Sequence, residues 1–119
     1  MPAARRHAIV HEVLDIASAR WTIDVLRMLG SGCMRFNEIA RQVEGISQKQ
    51  LTLTLRMLQR DGYASRVAFA TIPPRVEYEL TELGVSFAAS VRPLGVFAVR
   101  NRDSIEAARR EFDGQAESQ

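Results

Sequence analysis

Two helical stretches joined by a short glycine-containing turn, followed at once by period-two alternation, predict a mainly α-helical fold with a small β-hairpin, a winged helix-turn-helix. The helices are read at residues 36–43 and 47–60, and the hairpin in "ASRVAFATIPPRVEYEL". Charge supplies the third observation. From Arg35 to Arg75 seven positive residues stand against three negative ones, whereas beyond Arg75 five arginines face eight acids. The net charge is only +2, so the basic excess is a directed patch on the part of the chain that carries the motif.

With 119 residues, 46% of them hydrophobic and 25% charged, the chain is expected to form a single domain over residues 1–119 around one core. No apolar run is read as long enough to cross a membrane. The N-terminus shows neither the apolar segment nor the cleavage site of a secretory signal, and a cytoplasmic location is expected. The single cysteine, Cys33, excludes an internal disulfide and lacks the partners of a structural zinc site. No cofactor is expected.

A first helix, around His7 to Ala17, brings Ala8, Val13, Leu14 and Ile16 near one another. A second, from about Trp21 to Leu29, buries Trp21, Val25, Leu26 and Leu29 and stops at Gly30-Ser31-Gly32. In the third, Phe36, Ile39, Ala40 and Val43 follow helical spacing, and Glu44-Gly45 ends it with the residue best suited to a left-handed backbone. Ser47 and Gln50 form a capping box that starts the fourth helix, which Asp61-Gly62 closes. Val67 and Phe69, then Val76, Tyr78 and Leu80, alternate on two strands, with Ile72-Pro73-Pro74 at the tip. Thr81 caps a last helix through Leu83, Phe87 and Val91, which Pro93 and Gly95 are expected to kink or break before an amphipathic tail from about Phe97 to Phe112.

On the fourth helix Leu51, Leu55 and Leu58 line one side, while Lys49, Leu53, Arg56 and Arg60 project opposite, flanked by Gln50 and Thr52. Such a face suits a DNA major groove, which admits one α-helix and presents donors, acceptors and thymine methyls to side chains. Lys49, Gln50, Thr52 and Leu53 near the helix start are the candidate base-contacting group, with Leu53 suited to a thymine methyl, and Ser47 and Gln48 are counted with them as DNA-binding residues. Arg56 and Arg60 suit phosphates, and Arg66 and Arg75 on the hairpin suit the adjacent backbone or minor groove. Ser47 and the first helical amides are also placed for a phosphate. A charged face that merely keeps a helix soluble is the plainer reading. The coincidence of motif, hairpin and charge excess favours double-stranded DNA.

The segments "ARWTIDVLRML", "RFNEIARQVEGISQKQLTLTLRMLQRDGY" and "IPPRVEYELTELG" resemble, in order and spacing, HxlR-type winged-helix regulators, relatives of the MarR group, over roughly Val13 to Phe112. The resemblance implies a bacterial or archaeal homodimeric transcription regulator, and a repressor acting on a two-fold symmetric operator is expected. It also implies a DNA-binding core of about 21–84 and dimerisation helices at about 7–17 and 81–112. Departures from the family pattern are specific. Ala8 stands where many such regulators carry a redox-sensing cysteine, Leu53 and Thr54 replace a frequent Gln and Arg, and Ala19-Arg20 replaces a Gly-Lys pair.

Other features are weaker. Cys33, beside Arg35 and ahead of a helix, is a candidate thiolate sensor, against the plainer reading of a partly buried turn residue. Trp21, Phe87 and Phe97 are a candidate effector pocket, against ordinary packing. His7, His11 and Asp15 share a helical face at metal-ligand spacing, although a solvated or dimer-facing stripe is the expectation and no metal is assigned. No catalytic constellation is read, and "GSGC" follows a helix and so does not resemble a phosphate loop. The competing functional class is a winged-helix protein-interaction module without specific DNA binding.

Overall fold

The computed structural model describes residues 1–118. Its elements are α1 (Ala3–Ser18), α2 (Thr22–Leu29), β1 (Met34–Arg35), α3 (Phe36–Gln42), α4 (Gln48–Arg60), β2 (Ala64–Phe69), β3 (Arg75–Leu80) and α5 (Glu82–Ser118). Two compact units result, Met1–Ala89 and Ser90–Gln119. The first contains the helix-turn-helix, α3 to α4, and the sheet.

Apolar side chains at helical spacing meet in the core of the first unit. Val25, Leu26 and Leu29 of α2, Ile39 of α3, and Leu51, Leu55 and Leu58 of α4 are all buried. Each such side chain removed from water contributes roughly 1.5–3 kcal/mol. α1 begins four residues earlier than its sequence suggested. Of its expected apolar cluster only Ile16 is buried and Val13 half-buried, while Ala8 and Leu14 are exposed. Trp21 precedes α2 at the N-cap instead of lying within it, and is half-buried.

The turn between α3 and α4 is built on Gly45, whose φ of 86° lies in the left-handed region that other L-residues avoid. Its Cα faces the Trp21 ring, leaving ordinary contact distance, 3.6 Å, between an added Cβ and Trp21 Cη2. The indole thereby sits against the turn that orients the two helices. The Arg20 guanidinium lies 4.7 Å over the same ring.

The hairpin is part of a three-stranded antiparallel sheet in the order β1-β3-β2, where only two strands were expected. The extra strand is two residues long, pairing Met34 with Tyr78 and Arg35 with Glu77. A strand this short carries no alternation that a sequence can display. β2 and β3 pair throughout, from Ala64 opposite Leu80 to Phe69 opposite Arg75.

Thr81 caps α5 as expected, its hydroxyl accepting from the Gly84 amide at 3.0 Å and donating to the Gly62 carbonyl. Contrary to expectation, neither Pro93 nor Gly95 interrupts α5, which is continuous to Ser118. A mid-helix proline forfeits its own N–H bond to the carbonyl four residues back. Here the flanking Val, Leu, Ala and Phe sustain the helix through that single loss. From Glu82 to Ala116 this helix is long and apolar enough, by length and composition, to cross a membrane, with a mean hydropathy of 1.3 in its best 18-residue window. The sequence reading had not recognised such a run, because Arg92 and Pro93 interrupt it.

Candidate nucleic-acid interface

α4 is held at its start by the capping box read from the sequence. The Ser47 hydroxyl accepts from the Gln50 amide at 3.1 Å, and the Ser47 amide donates to Gln50 Oε1 at 3.0 Å. Both polar side chains are thereby engaged in building the helix end. The amides of Gln48 and Lys49 remain as the donors that the helix cannot itself satisfy. Thr52 donates its hydroxyl proton to the Gln48 carbonyl at 2.8 Å, so towards a ligand its oxygen can only accept.

The rotation of α4 matches the sequence reading. Leu51 is 0% exposed and Leu53, two residues on, is 56% exposed. Lys49, Arg56 and Arg60 are exposed on the same side as Leu53, and among the described residues none of the three takes part in an ion pair. The face is therefore cationic and uncompensated.

The sheet separates the two hairpin arginines. Directly paired residues share a face, and Arg66 is paired with Tyr78 whereas Arg75 is paired with Phe69, an odd number of positions along β2. Arg66 and Arg75 therefore point from opposite faces. Arg66 is exposed and turns to the α4 side, where it lines an open cleft of about 500 Å³ with Tyr78, with Thr52, Leu55, Arg56 and Gln59 of α4, and with Phe36 of α3. Arg75 is already occupied. Its guanidinium stacks 4.2 Å over the Phe69 ring and stands 3.6 Å from the Glu77 carboxylate, an ion pair longer than a hydrogen bond. The strand register thus puts on different faces two arginines that are both expected at the adjacent backbone or minor groove. Conversely, Gln59 and Tyr78 were not singled out in the sequence, because only the fold of the sheet onto α4 brings them to this cleft.

Residues 16–106 match the sequence profile of the HxlR-like helix-turn-helix family. The chain belongs to that family. It is 36% identical over 100 residues to the uncharacterized HTH-type transcriptional regulator YtfH of Escherichia coli, covering 84% of this chain and 79% of that one. It is 37% identical over 107 residues to the uncharacterized HTH-type transcriptional regulator YdeP of Bacillus subtilis, covering 87% and 84%. Among solved structures, the redox regulator HypR in its reduced form superposes with a TM-score of 0.75 at 36% identity, over 82% of this chain and 97% of that one. The diamide-treated YodB of B. subtilis gives 0.69 at 27% identity, over 84% and 94%. The helices α3 and α4 with the sheet are thus the helix-turn-helix and wing of a transcriptional regulator.

Within this HxlR-like framework Cys33 differs from both sequence readings. It is exposed, not partly buried, and its thiol donates to Glu79 Oε2 at 3.0 Å. That hydrogen bond to a carboxylate raises the thiol pKa, helped by desolvation and by the charges of Glu79 and Glu77, where neighbouring Arg35 had been expected to lower it. At neutral pH the thiolate fraction is accordingly below that of an ordinary cysteine. Glu79→Gln should lower this pKa and speed alkylation of Cys33 by iodoacetamide at pH 7.5 severalfold. An unchanged rate would show that the carboxylate does not govern the thiol.

Of the expected aromatic trio, Trp21 and Phe87 belong to the first unit and Phe97 to the second. Phe87 stacks on Tyr63 with ring centroids 4.0 Å apart, Trp21 is spent on the turn at Gly45, and Phe97 is exposed in the second unit. The Tyr63 hydroxyl has its pKa raised, chiefly by burial and secondarily by Asp61. His7 and His11 approach to 3.0 Å between their Nε2 atoms, edge to face. Asp15 does not join them, and among the described residues no group of three His, Cys, Asp or Glu is arranged to hold a metal ion.

Proposed function

We propose that this chain acts in the cytoplasm as a homodimeric repressor that binds double-stranded DNA sequence-specifically, with α4 in the major groove and the hairpin alongside. The supporting observation is the exposed, unpaired face of α4 formed by Lys49, Leu53, Arg56 and Arg60 behind a buried leucine row. Positive side chains with no internal partner are free to replace counterions on phosphates, and a helix end bearing Lys and Leu can read base edges. Two copies are supported by apolar side chains left in water: Ile9, Val10 and Leu14 on α1, and Leu94, Phe97 and Val99 on α5. Such apolar patches suit a subunit interface better than solvent. A two-fold dimer would address half-sites about 34 Å apart, or a multiple of that spacing.

Selection of bound duplexes from a random DNA pool tests the reading. An enriched, roughly palindromic sequence is the expected result, and no enrichment would favour a protein-interaction module instead. On the selected duplex, Arg56→Ala should weaken operator and scrambled DNA alike and shallow the salt dependence by about one unit per contact, about two in the dimer. Lys49→Ala should reduce affinity for the selected duplex more than for scrambled DNA. Equal losses on both would count against base reading by Lys49. Transcription in vitro from a promoter carrying the selected site should fall on adding protein, and a rise would reverse the assignment as repressor.

A further inference from the structure

The cleft between α4 and the sheet holds two arginines from elements far apart in function within the motif, one on the helix and one on the hairpin. We propose that it is a phosphodiester clasp, in which Arg56 and Arg66 together grip one short stretch of a single DNA strand. The proposal rests on the DNA-binding reading above and adds to it which two side chains share a phosphate.

Four observations carry it. Arg56 and Arg66 line the same cavity, and no carboxylate lines it. Neither arginine is in an ion pair among the described residues, whereas Arg75 on the opposite sheet face is held by Phe69 and Glu77. The cleft's volume corresponds to roughly 8 Å on a side, enough for one or two phosphates of a strand that carries one charge per about 3.4 Å of axis. Phe36 and Leu55 add apolar lining beside the arginines, which displaces part of the water that would otherwise compete for guanidinium–phosphate hydrogen bonds.

Topology indicates which anion enters. A helix lying in the major groove and a hairpin beside it are separated by the sugar-phosphate strand that borders the groove. A cleft walled by that helix on one side and that hairpin on the other is where this strand must run. Arginine's planar fork permits two parallel bonds to one phosphate, and two forks from opposite walls fix its position along the strand. Gln59 and Tyr78 add uncharged donors at the same place. The clasp would set the register of α4 in its groove.

The test scans the selected duplex with methylphosphonates, which remove the charge of one phosphate at a time, and measures affinity for the full-length wild type and for Arg56→Ala, Arg66→Ala and Arg75→Ala. Both clasp residues are exposed, so these variants are expected to fold, and Arg56→Lys and Arg66→Lys provide charge-retaining companions. In the wild type, neutralising one phosphate or an adjacent pair in each half-site should weaken binding about tenfold. That sensitivity should disappear at the same position in Arg56→Ala and in Arg66→Ala, and persist in Arg75→Ala. The lysine variants should keep it in part. Loss of sensitivity at phosphates on different strands, or more than one step apart, would overturn the clasp while leaving DNA binding intact. Full affinity in both alanine variants would likewise overturn the clasp alone, whereas failure to select any duplex would overturn it together with the reading beneath it.

Discussion

Gly84→Ala is expected to unfold the first unit or leave it barely stable. A Cβ at this buried position would stand 1.8 Å from the Tyr63 carbonyl oxygen and 2.8 Å from its carbon, distances that no side-chain rotation can relieve because the obstacle is backbone. The same carbonyl accepts from the Thr81 amide at 3.1 Å, and the Thr81 hydroxyl in turn caps the helix at Gly84. Moving Tyr63 aside therefore breaks the joint between the end of the hairpin and the start of α5, and disturbs the stack of Tyr63 on Phe87. Overpacking usually costs 1–3 kcal/mol, and a clash with backbone at this distance should cost about 3 kcal/mol or more, a large share of a small domain's stability. Thermal unfolding followed by circular dichroism measures it. Gly95→Ala is the control, because nothing lies within 4 Å of its added Cβ, and Ala in a helix interior should stabilise by up to about 1 kcal/mol. Equal melting temperatures for the two variants would refute the close approach of α5 to Tyr63.

Leu51→Ala and Leu53→Ala should separate stability from binding. The first removes a fully buried side chain from the core of α4 and is expected to cost about 3 kcal/mol, within the 2–5 range for Leu→Ala in a core. The second shortens an exposed side chain and should change stability by less than about 0.5 kcal/mol. On DNA the order should reverse at a temperature where both are folded. Leu53→Ala should lose preference for the selected duplex at a thymine position, through loss of contact with its methyl group, while Leu51→Ala keeps its preference. The two residues stand two positions apart, on opposite faces of the helix, so the pair measures the rotation of α4 directly. A Leu53→Ala variant that melts as early as Leu51→Ala would mean the helix presents a different face.

Much of the motif was legible because it depends on short-range rules. The capping box at Ser47 and Gln50, the left-handed glycine at Gly45 and the leucine row of α4 each follow from residues within one or two turns of one another. Where neighbours from elsewhere in the chain decide, the reading failed or fell short. Cys33 was judged by Arg35, two residues away, yet its titration is governed by Glu79, forty-six residues away. In α5 the limit is local instead, because the residues flanking Pro93 and Gly95 outweigh the usual effect of these two as breakers.

By itself the sequence determined which segments are helical, where the turn lies and which side of α4 is cationic, because periodicity and capping are properties of contiguous residues. Only the tertiary structure decided that Arg66 faces α4 while Arg75 does not, that Gln59 and Tyr78 join Arg56 at one cleft, and that a two-residue strand widens the hairpin to three. Strand register fixes the face on which every side chain emerges, and register is set by pairing between residues that the linear order keeps apart.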